Sequence, residues 1–386
     1  MSDILYEQVT VGGLTLKNRI FMSAAAAYSA DRDGDIDYDV PIVHFEAAKG
    51  GCALVPTGGV SGIHPSGRTN ETRPMFDSDD RIPSFRTFAD RVHEGGAAAI
   101  LQATHGGAGA AHYQLSLGRK PFVASFYLKN PKGSFAEENR EYTPASEEEI
   151  HDVVTAFGDA AARAVKAGFD GIQIHAAHDS LLSQWLSPLY NVREDGWGGT
   201  IENRCRILRE ILKDMRKKAG EAFPVIVKLG IEDLLPGGMP EEEGLRAASI
   251  LAGEGTADII EVSQGLHDPA DFNKTSMRTG VTSLAKEAYF REWTKKVKAA
   301  VGDRVLVTMQ GGLRTPALME EVVRNGEADF VSMCRPYIRE PGIVNRWKSG
   351  DTSRATCISC NECLVGHFFH GKPLECSLDD TWRARR

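Results

Sequence analysis

The chain has 386 residues, of which 42% are hydrophobic and 25% charged, so it contains enough apolar material for a large buried core. Its 45 basic and 53 acidic side chains give a formal net charge of −8. Because no basic face is evident and no stretch approaches the ~20 apolar residues of a membrane-spanning helix, the composition argues against a general role on nucleic acids or membranes.

Short apolar runs alternate with longer helical segments along the chain. The runs are nearly all apolar, as expected for parallel strands that are buried on both faces. The pattern predicts eight strands, which in chain order are Arg19–Ser23, Cys52–Thr57, Ala98–Gln102, Gly171–His175, Val225–Leu229, Asp258–Val262, Val305–Met309 and Phe330–Met333.

The segments between these strands have recognisable helix ends. Ser146 followed by Glu149 predicts a capping box, after which apolar residues recur on one helical face until Gly168. Thr315-Pro316 predicts the start of another helix, which ends at Asn325-Gly326.

Repeated strand–helix alternation predicts an α/β fold, a (β/α)8 TIM barrel. An open, doubly wound sheet uses the same units, but no GxGxxG turn follows the first strand. The long polar segment Ala108–Pro144 is expected to fold over the barrel mouth as a lid or small hairpin. We expect the barrel to occupy residues 1–350, and a cysteine-rich segment, residues 351–386, to pack on it.

Small and polar residues follow the predicted strands. A barrel active site forms where the strands end and the next loops begin. Glycines at such positions let a backbone approach a flat ring or a phosphate closely. The residues of interest are Ser23, Ala24, Ala25, Ala26, Gly58, Gln102, His175, His178, Lys228, His267, Gly311, Gly312, Cys334 and Arg335.

Three of these positions predict ligand contacts. Gly311-Gly312 and Cys334-Arg335 follow the last two strands, where barrels commonly bind phosphate and a guanidinium can share its charge. Alternatively, the glycines end strands and Arg335 forms a surface ion pair. Lys228 ends an apolar strand, and a buried lysine needs an anionic partner, either a ligand or a neighbouring Glu or Asp.

Motifs along nearly the whole chain resemble the old yellow enzyme family of FMN oxidoreductases. In family order they are Leu16–Ile20, Leu101-Gln102 with His105–Gly107, Ala167–Gly171, His175–His178, Leu186–Pro188, Asn191–Gly199, Glu202–Arg204 and Gly311–Arg314. The resemblance implies that FMN is bound by the Ser23–Ala26 backbone, Gly58, Gln102, Lys228, the Gly311-Gly312 loop and Cys334-Arg335. It also implies that NADH or NADPH can reduce the flavin directly.

The resemblance assigns a role to His175 and His178. In the family such a pair lies over the flavin and hydrogen-bonds a carbonyl or carboxyl oxygen of the substrate. This withdraws electrons from a conjugated double bond, so that the flavin N5 hydride can add to its far carbon. For the His-x-x-His pattern taken alone, a zinc pair or two core histidines are the alternatives.

One position departs from the family pattern. Where the family has a proton-donating tyrosine, this chain has Ser180, and a hydroxyl is a far weaker acid than a phenol with a pKa of about 10. His267 is a candidate replacement, because the related dienoyl-CoA reductases place a catalytic histidine in the loop after the sixth strand and imidazole suits proton transfer near neutral pH. A surface loop histidine is the alternative.

Four of the seven cysteines follow a C-x2-C-x2-C-x12-C pattern, namely Cys357, Cys360, Cys363 and Cys376. Three cysteines at this spacing can hold one side of a cubane cluster and a distant fourth can close it, so a [4Fe–4S] cluster is predicted and tetrahedral zinc is the alternative. The spacing resembles that of the iron–sulfur branch of the family, especially the trimethylamine dehydrogenases.

The cysteines and the N-terminus bear on the cellular compartment. An odd number of cysteines, four of them within the last thirty residues, does not suit a secreted disulfide framework. The first residues show no basic segment followed by an apolar run, so no secretory signal is predicted. We therefore expect a cytoplasmic protein.

These features predict an FMN and [4Fe–4S] reductase of an activated C=C bond in a small conjugated acid, ketone or thioester. The alternatives are an amine dehydrogenase or N-demethylase that passes hydride from substrate to FMN, and a non-catalytic electron-transfer subunit. Because only ten residues follow Cys376, we expect the cluster to exchange electrons with a separate ferredoxin or flavoprotein. The sequence leaves the substrate and the oligomeric state open.

Overall fold

The computed structural model describes residues 3–25, 30–38, 42–57, 61–125, 142–266, 275–370 and 374–378. An antiparallel N-terminal hairpin consists of β1 (Val9–Val11) and β2 (Leu14–Leu16). Next come β3 (Ile20–Met22), β4 (Leu54–Pro56), β5 (Ser61–Gly62), β6 (Ala98–Thr104), β7 (Gly171–Ala176), β8 (Val225–Gly230), β9 (Ile259–Ser263), β10 (Leu306–Met309) and β11 (Phe330–Met333).

The strands β3, β4 and β6 to β11 form a closed parallel barrel. Each pairs with the next, and β11 pairs with β3, with Met333 opposite Met22. The predicted barrel is therefore confirmed, and the open sheet is excluded. The predicted strand ends differ by one or two residues; β6 continues past Gln102 to Thr104 because its last residues pair with β5.

Helices follow the strands and surround the barrel. Within the described residues they are α1 (Ile42–Lys49), α2 (Ile82–Glu94), α3 (Ala111–Ser116), α4 (Glu147–Lys166), α5 (Leu181–Leu186), α6 (Ile201–Arg204), α7 (Arg206–Ala219), α8 (Glu241–Glu254), α9 (Arg291–Val301), α10 (Pro316–Arg324), α11 (Arg335–Arg339), α12 (Ile343–Lys348) and α13 (Glu362–His370). None of these described helices is both long and apolar enough to cross a membrane.

The helix ends predicted from the sequence are present. The Ser146 hydroxyl accepts the Glu149 N–H at 3.2 Å, and the Glu149 carboxylate accepts the Ser146 N–H at 2.7 Å, which completes the capping box of α4. Helix α10 begins at Pro316, as Thr315-Pro316 predicted. Of the predicted lid, Ala108–Pro144, the structure describes a first part that includes α3, and residues 126–141 lie outside the described residues.

The hairpin closes the N-terminal end of the barrel. Phe21 of β3 and Phe330 of β11 stack with their ring centroids 4.5 Å apart, in a cluster that includes Val11 and Leu16 of the hairpin. The Gly13 N–H at the hairpin turn donates to a backbone carbonyl before β8 at 2.8 Å. The opposite end, where the strands lead into the longer loops, is the end at which barrels bind their ligands.

Two glycines of α8 provide a matched test of helix packing on the barrel. A Cβ at Gly244 would overlap the carbonyl oxygen of Ile231 at the end of β8, whereas a Cβ at Gly253 would meet nothing within 4 Å. Gly244→Ala should lower the free energy of unfolding by about 1–3 kcal/mol through overpacking. Gly253→Ala should raise it by about 0.5–1 kcal/mol through helix propensity. Chemical denaturation measures both, and equal effects would contradict this packing.

Candidate active site

A polar layer centred on Glu261 crosses the barrel interior near the C-terminal ends of the strands. The buried Glu261 carboxylate accepts hydrogen bonds from the Ser23 hydroxyl at 2.5 Å and the Ser332 hydroxyl at 3.1 Å. Gln173 Nε2 donates to it at 2.7 Å, and Lys228 Nζ lies 3.5 Å from its Oε1. The carboxylate thus balances the charge of the lysine in an interior where an unpaired charge would be costly.

Gln102 extends the same layer. Its Nε2 donates to Gln173 Oε1 at 2.6 Å, so the predicted residues Ser23, Gln102 and Lys228 belong to one hydrogen-bonded network. The alternative interpretation of Lys228, an ion pair with a neighbouring carboxylate, describes the contact in this structure. Sequence analysis missed Glu261 and Gln173, although a polar residue in the middle of an otherwise apolar strand is a visible signal.

His175 and His178 lie side by side where β7 ends. Their ring centroids are 5.1 Å apart, with the ring planes at 69°. In the sheet register His175 is opposite Lys228 of β8. Burial, with the positive charges of Lys228 and Arg73, lowers the pKa of His175 to about 3, so this imidazole is neutral near pH 7.

The turn that carries His178 has an uncommon backbone. His178 and Asp179 have left-handed φ angles of 51° and 58°, which non-glycine residues rarely adopt. The turn is fixed by the His178 N–H, which donates to the Gly265 carbonyl at 3.1 Å, and by His178 Nε2, which lies 2.6 Å from the Ser263 hydroxyl. Strain of this kind clusters at functional sites, where the surroundings hold it.

Ser180 directly follows this turn and is the N-cap residue of α5. It is buried, and its hydroxyl donates to the His175 carbonyl at 2.7 Å. In this arrangement Ser180 holds together the turn that carries the histidine pair.

The loop after β9 is anchored by Asp233, which sequence analysis missed. The Asp233 carboxylate accepts the Leu266 N–H at 2.6 Å and the Met239 N–H at 2.8 Å, and burial raises its pKa to about 6. Leu266, which this contact holds in place, is the last residue before His267. His267 lies outside the described residues, as do Ala26 and Gly58. Ala24 and Ala25 are described and directly follow Ser23, whose N–H donates to the Met333 carbonyl at 2.8 Å.

The two segments predicted to bind phosphate, Gly311-Gly312 and Cys334-Arg335, both lie close to Tyr289. Gly311 and Gly312 have φ angles of 110° and 77°, and a Cβ at Gly312 would lie 2.7 Å from the Tyr289 ring. Arg335 follows Cys334 at the start of α11, and its Nη2 lies 3.5 Å from the Tyr289 hydroxyl. Arg335 is only 8% exposed, so it is not the surface residue of the alternative interpretation.

All four cysteines of the C-terminal pattern line one cavity, together with Arg335 and Arg339. Arg339 Nη1 lies 3.3 Å from Cys376 Sγ, and Arg314 Nη2 lies 3.7 Å from Cys357 Sγ. Two arginine side chains thus place positive charge beside sulfur atoms of this cavity. In the described part of the chain, no group of three or more His, Cys, Asp or Glu is arranged to hold a single metal ion.

The chain matches one protein family over most of its length. Residues 4–353 match the NADH:flavin oxidoreductase / NADH oxidase family. The chain belongs to this family. The polar layer and the histidine pair lie near the C-terminal ends of the barrel strands, the end at which barrels bind their ligands.

Curated relatives carry several oxidoreductase names. An NADH oxidase of Thermoanaerobacter brockii is 29% identical over 381 residues, covering 97% of this chain and 56% of the relative. A metal reductase of Desulforamulus reducens is 31% identical over 379 residues, covering 98% and 53%. A 4,4′-dithiodibutanoate disulfide reductase of Rhodococcus erythropolis is 28% identical over 384 residues, covering 93% and 92%. The chain thus spans about half the length of the first two relatives.

Two solved structures share the fold of this chain. A 2-naphthoyl-CoA reductase in complex with 2-naphthoyl-CoA has a TM-score of 0.85 at 24% identity, covering 98% of this chain and 57% of the other. A histamine dehydrogenase from Rhizobium sp. 4-9 has a TM-score of 0.81 at 23% identity, covering 97% and 51%. At these identities the likeness shows the fold alone.

Removal of either partner of the Lys228–Glu261 pair should destabilise the protein, because the other charge stays buried. Lys228→Met is expected to lower the free energy of unfolding by about 3–5 kcal/mol, and Lys228→Met with Glu261→Gln by much less. The exposed pair Lys166–Asp79 is the control, with an expected coupling below about 1 kcal/mol. Chemical denaturation of single and double variants measures both couplings, and strictly additive effects at the buried pair would contradict the arrangement.

The lowered pKa of His175 makes acid stability a second test. Above the unfolded pKa of about 6.5 neither state is protonated, and the full stability is present. As the pH falls from about 6.5 towards the folded pKa of about 3, only the unfolded chain takes up the proton, so stability falls by up to about 1.4 kcal/mol per pH unit. Unfolding free energies of His175→Asn should fall less steeply. His151→Asn, at an exposed position, should keep the original slope, and parallel curves for all three proteins would refute the buried, neutral imidazole.

Proposed function

We propose that the enzyme binds FMN at the barrel mouth and reduces the activated C=C bond of a small conjugated acid, ketone or thioester. The observation that carries the proposal is the placement of His175 opposite Lys228 on neighbouring strands. Lys228, a cation that could hold the N1–C2=O edge of a flavin, is thereby placed next to His175 and His178. These two imidazoles could hydrogen-bond the carbonyl oxygen of a substrate. NADH or NADPH is the proposed reductant, in line with the name of the NADH oxidase relative.

The residues at the mouth fit FMN by their chemistry. Lys228 would hold the N1–C2=O edge, and Gln102, which carries both a donor and an acceptor, would pair with the pyrimidine edge. Arg335 and the Gly311-Gly312 backbone would hold the phosphate. His175 Nδ1 is buried and has no hydrogen-bond partner within the described residues, which suits contact with a ligand. The remaining proposed FMN contacts are Ser23, Ala24, Ala25, Ala26, Gly58 and Cys334.

The histidine pair would polarise the substrate. When bound and reduced, FMN supplies the hydride. His175 and His178 would donate hydrogen bonds to the carbonyl or carboxyl oxygen and draw electron density from the double bond. Because the pKa of His175 is about 3, its neutral ring holds its proton and polarises the oxygen without protonating it. The proton for the substrate carbon must come from elsewhere, and we assign it to His267, with the Ser180 hydroxyl held by the backbone.

We further propose that the four cysteines bind a [4Fe–4S] cluster, in preference to zinc. Their position around one cavity supports this, as do the arginine donors at two of the sulfurs, since such donors stabilise an anionic cluster. In this proposal residues 1–350 are the FMN barrel and residues 351–386 the cluster segment. The cluster would relay electrons between FMN and a separate ferredoxin or flavoprotein.

A second candidate function is the oxidation of an amine, as in an amine dehydrogenase or N-demethylase. Ser180 stands where the family has a proton-donating tyrosine, and its hydroxyl donates to the His175 carbonyl. An enzyme that takes a hydride from its substrate has no need of that proton donor. The fold shared with a histamine dehydrogenase is consistent with this candidate.

Flavin absorbance under anaerobic conditions distinguishes the candidates. The proposal expects NADH or NADPH to bleach the flavin and an enone or enoate to restore its colour. Bleaching by a methylated amine alone would support amine oxidation and contradict C=C reduction. A matched reaction with the saturated analogue of the enone should leave the reduced flavin unchanged.

His267→Ala tests the proton donor. Loss of a general acid should slow C=C reduction by about 10²–10⁴-fold while FMN binding changes little. Stopped-flow reoxidation of the reduced flavin by the substrate measures the step directly, with His151→Ala as the control at an exposed position. Reoxidation at the wild-type rate in His267→Ala would remove this residue from the mechanism.

A further inference from the structure

Arg314 joins the loop after β10 to the cysteine segment. Its side chain is only 1% exposed. Nη1 donates to the Gly312 carbonyl at 2.6 Å, and Nε donates to the Cys357 carbonyl at 2.7 Å. Nη2 donates to the Ser359 hydroxyl and lies 3.7 Å from Cys357 Sγ. One buried guanidinium therefore contacts both the glycine loop and the first cysteine of the pattern.

The backbone of Arg314 strengthens this junction. Its carbonyl accepts the Ala355 N–H at 2.9 Å, and its N–H donates to the Glu287 carboxylate at 2.8 Å. Glu287 also accepts from Arg354 Nε at 2.6 Å, so a second arginine attaches the same segment without touching a cysteine.

The hydrogen bonds of the Arg314 guanidinium go to groups other than carboxylates in the described part of the chain. Among the described residues, the groups that accept its hydrogen bonds are carbonyl oxygens, a hydroxyl and the Cys357 sulfur, and none is a carboxylate. A buried cation is stable only where a counter-charge lies nearby. The Cys357 sulfur is the contacted atom that would carry one as a ligand of an anionic cluster.

We propose that Arg314 is a positioning residue that couples the proposed cluster to the flavin phosphate loop. This inference rests on the proposed function, because it needs both FMN and the cluster. Its N–H groups would hold Cys357 in place for cluster binding and, through Gly312, fix the loop assigned to the phosphate. Its charge and its donation to sulfur make addition of an electron to the cluster more favourable, since hydrogen bonds to cluster sulfurs and nearby positive charge raise the reduction potential.

The test compares Arg314→Gln with Arg354→Gln in the anaerobically purified protein. The readouts are iron and sulfide per chain, the FMN dissociation constant, and the cluster reduction potential from a dithionite titration followed by electron paramagnetic resonance. In Arg314→Gln we expect about a tenfold loss in the equilibrium constant for one-electron reduction, which is about 59 mV. We also expect FMN to bind more weakly. Arg354→Gln removes a tether of the same segment but no contact to sulfur, so its cluster potential should match the wild type.

A potential and an FMN affinity in Arg314→Gln that equal the wild-type values would overturn the inference, and so would an equal shift in Arg354→Gln. If Arg314→Gln does not fold, Arg314→Lys is measured. It keeps the charge but cannot reach all the acceptors together, so we expect a near wild-type potential with weakened FMN binding and loss of iron to a mild chelator. Arg314→Lys protein that binds FMN as tightly as the wild type, and that keeps its iron as well as the wild type does, would also overturn the inference. Wild-type protein that holds FMN but no iron or sulfide would instead refute the proposed cluster.

Discussion

The buried Lys228–Glu261 pair is the constraint on which the arrangement of the site depends. Neither charge can remain alone in the barrel interior, so the layer that satisfies Glu261 must assemble together with the strands that supply its partners. Ser23, Gln173 and Ser332 tie β3, β7 and β11 to the carboxylate on β9. This layer fixes Lys228 beside His175, and thereby sets a cation next to the histidine pair before any ligand contributes. The chemistry of the mouth is thus determined by electrostatics inside the barrel.

Buried charged side chains also connect the barrel mouth to the cysteine segment. Arg314 and Arg335 are both buried and lie between the glycine loop and the residues that follow Cys357. Both guanidinium groups place positive charge at this junction. The same two buried cations therefore contact both the barrel and the cysteine segment.

Much of the fold could be predicted because buried parallel strands are continuous apolar runs, whereas their ends depend on pairing that is not local in sequence, as at β6 and β5. The three-residue strands of the hairpin were missed because they are short and partly exposed. Lys228 and Gln102 were singled out because they are polar residues near the C-terminal ends of the predicted strands. Glu261 lies within an apolar strand, and the contact of Arg314 with Cys357 spans 43 positions, so sequence reasoning found neither.

In the proposed function, the strand-end residues around the Lys228–Glu261 layer hold one flavin, and the adjoining cysteine segment holds an iron–sulfur cluster. The absorbance spectrum of anaerobically purified protein, combined with flavin, iron and sulfide assays, tests both groups together. The expected result is a flavin spectrum with about one FMN, about four iron atoms and about four sulfides per chain. Folded protein that is colourless, and that takes up no added FMN, would contradict it.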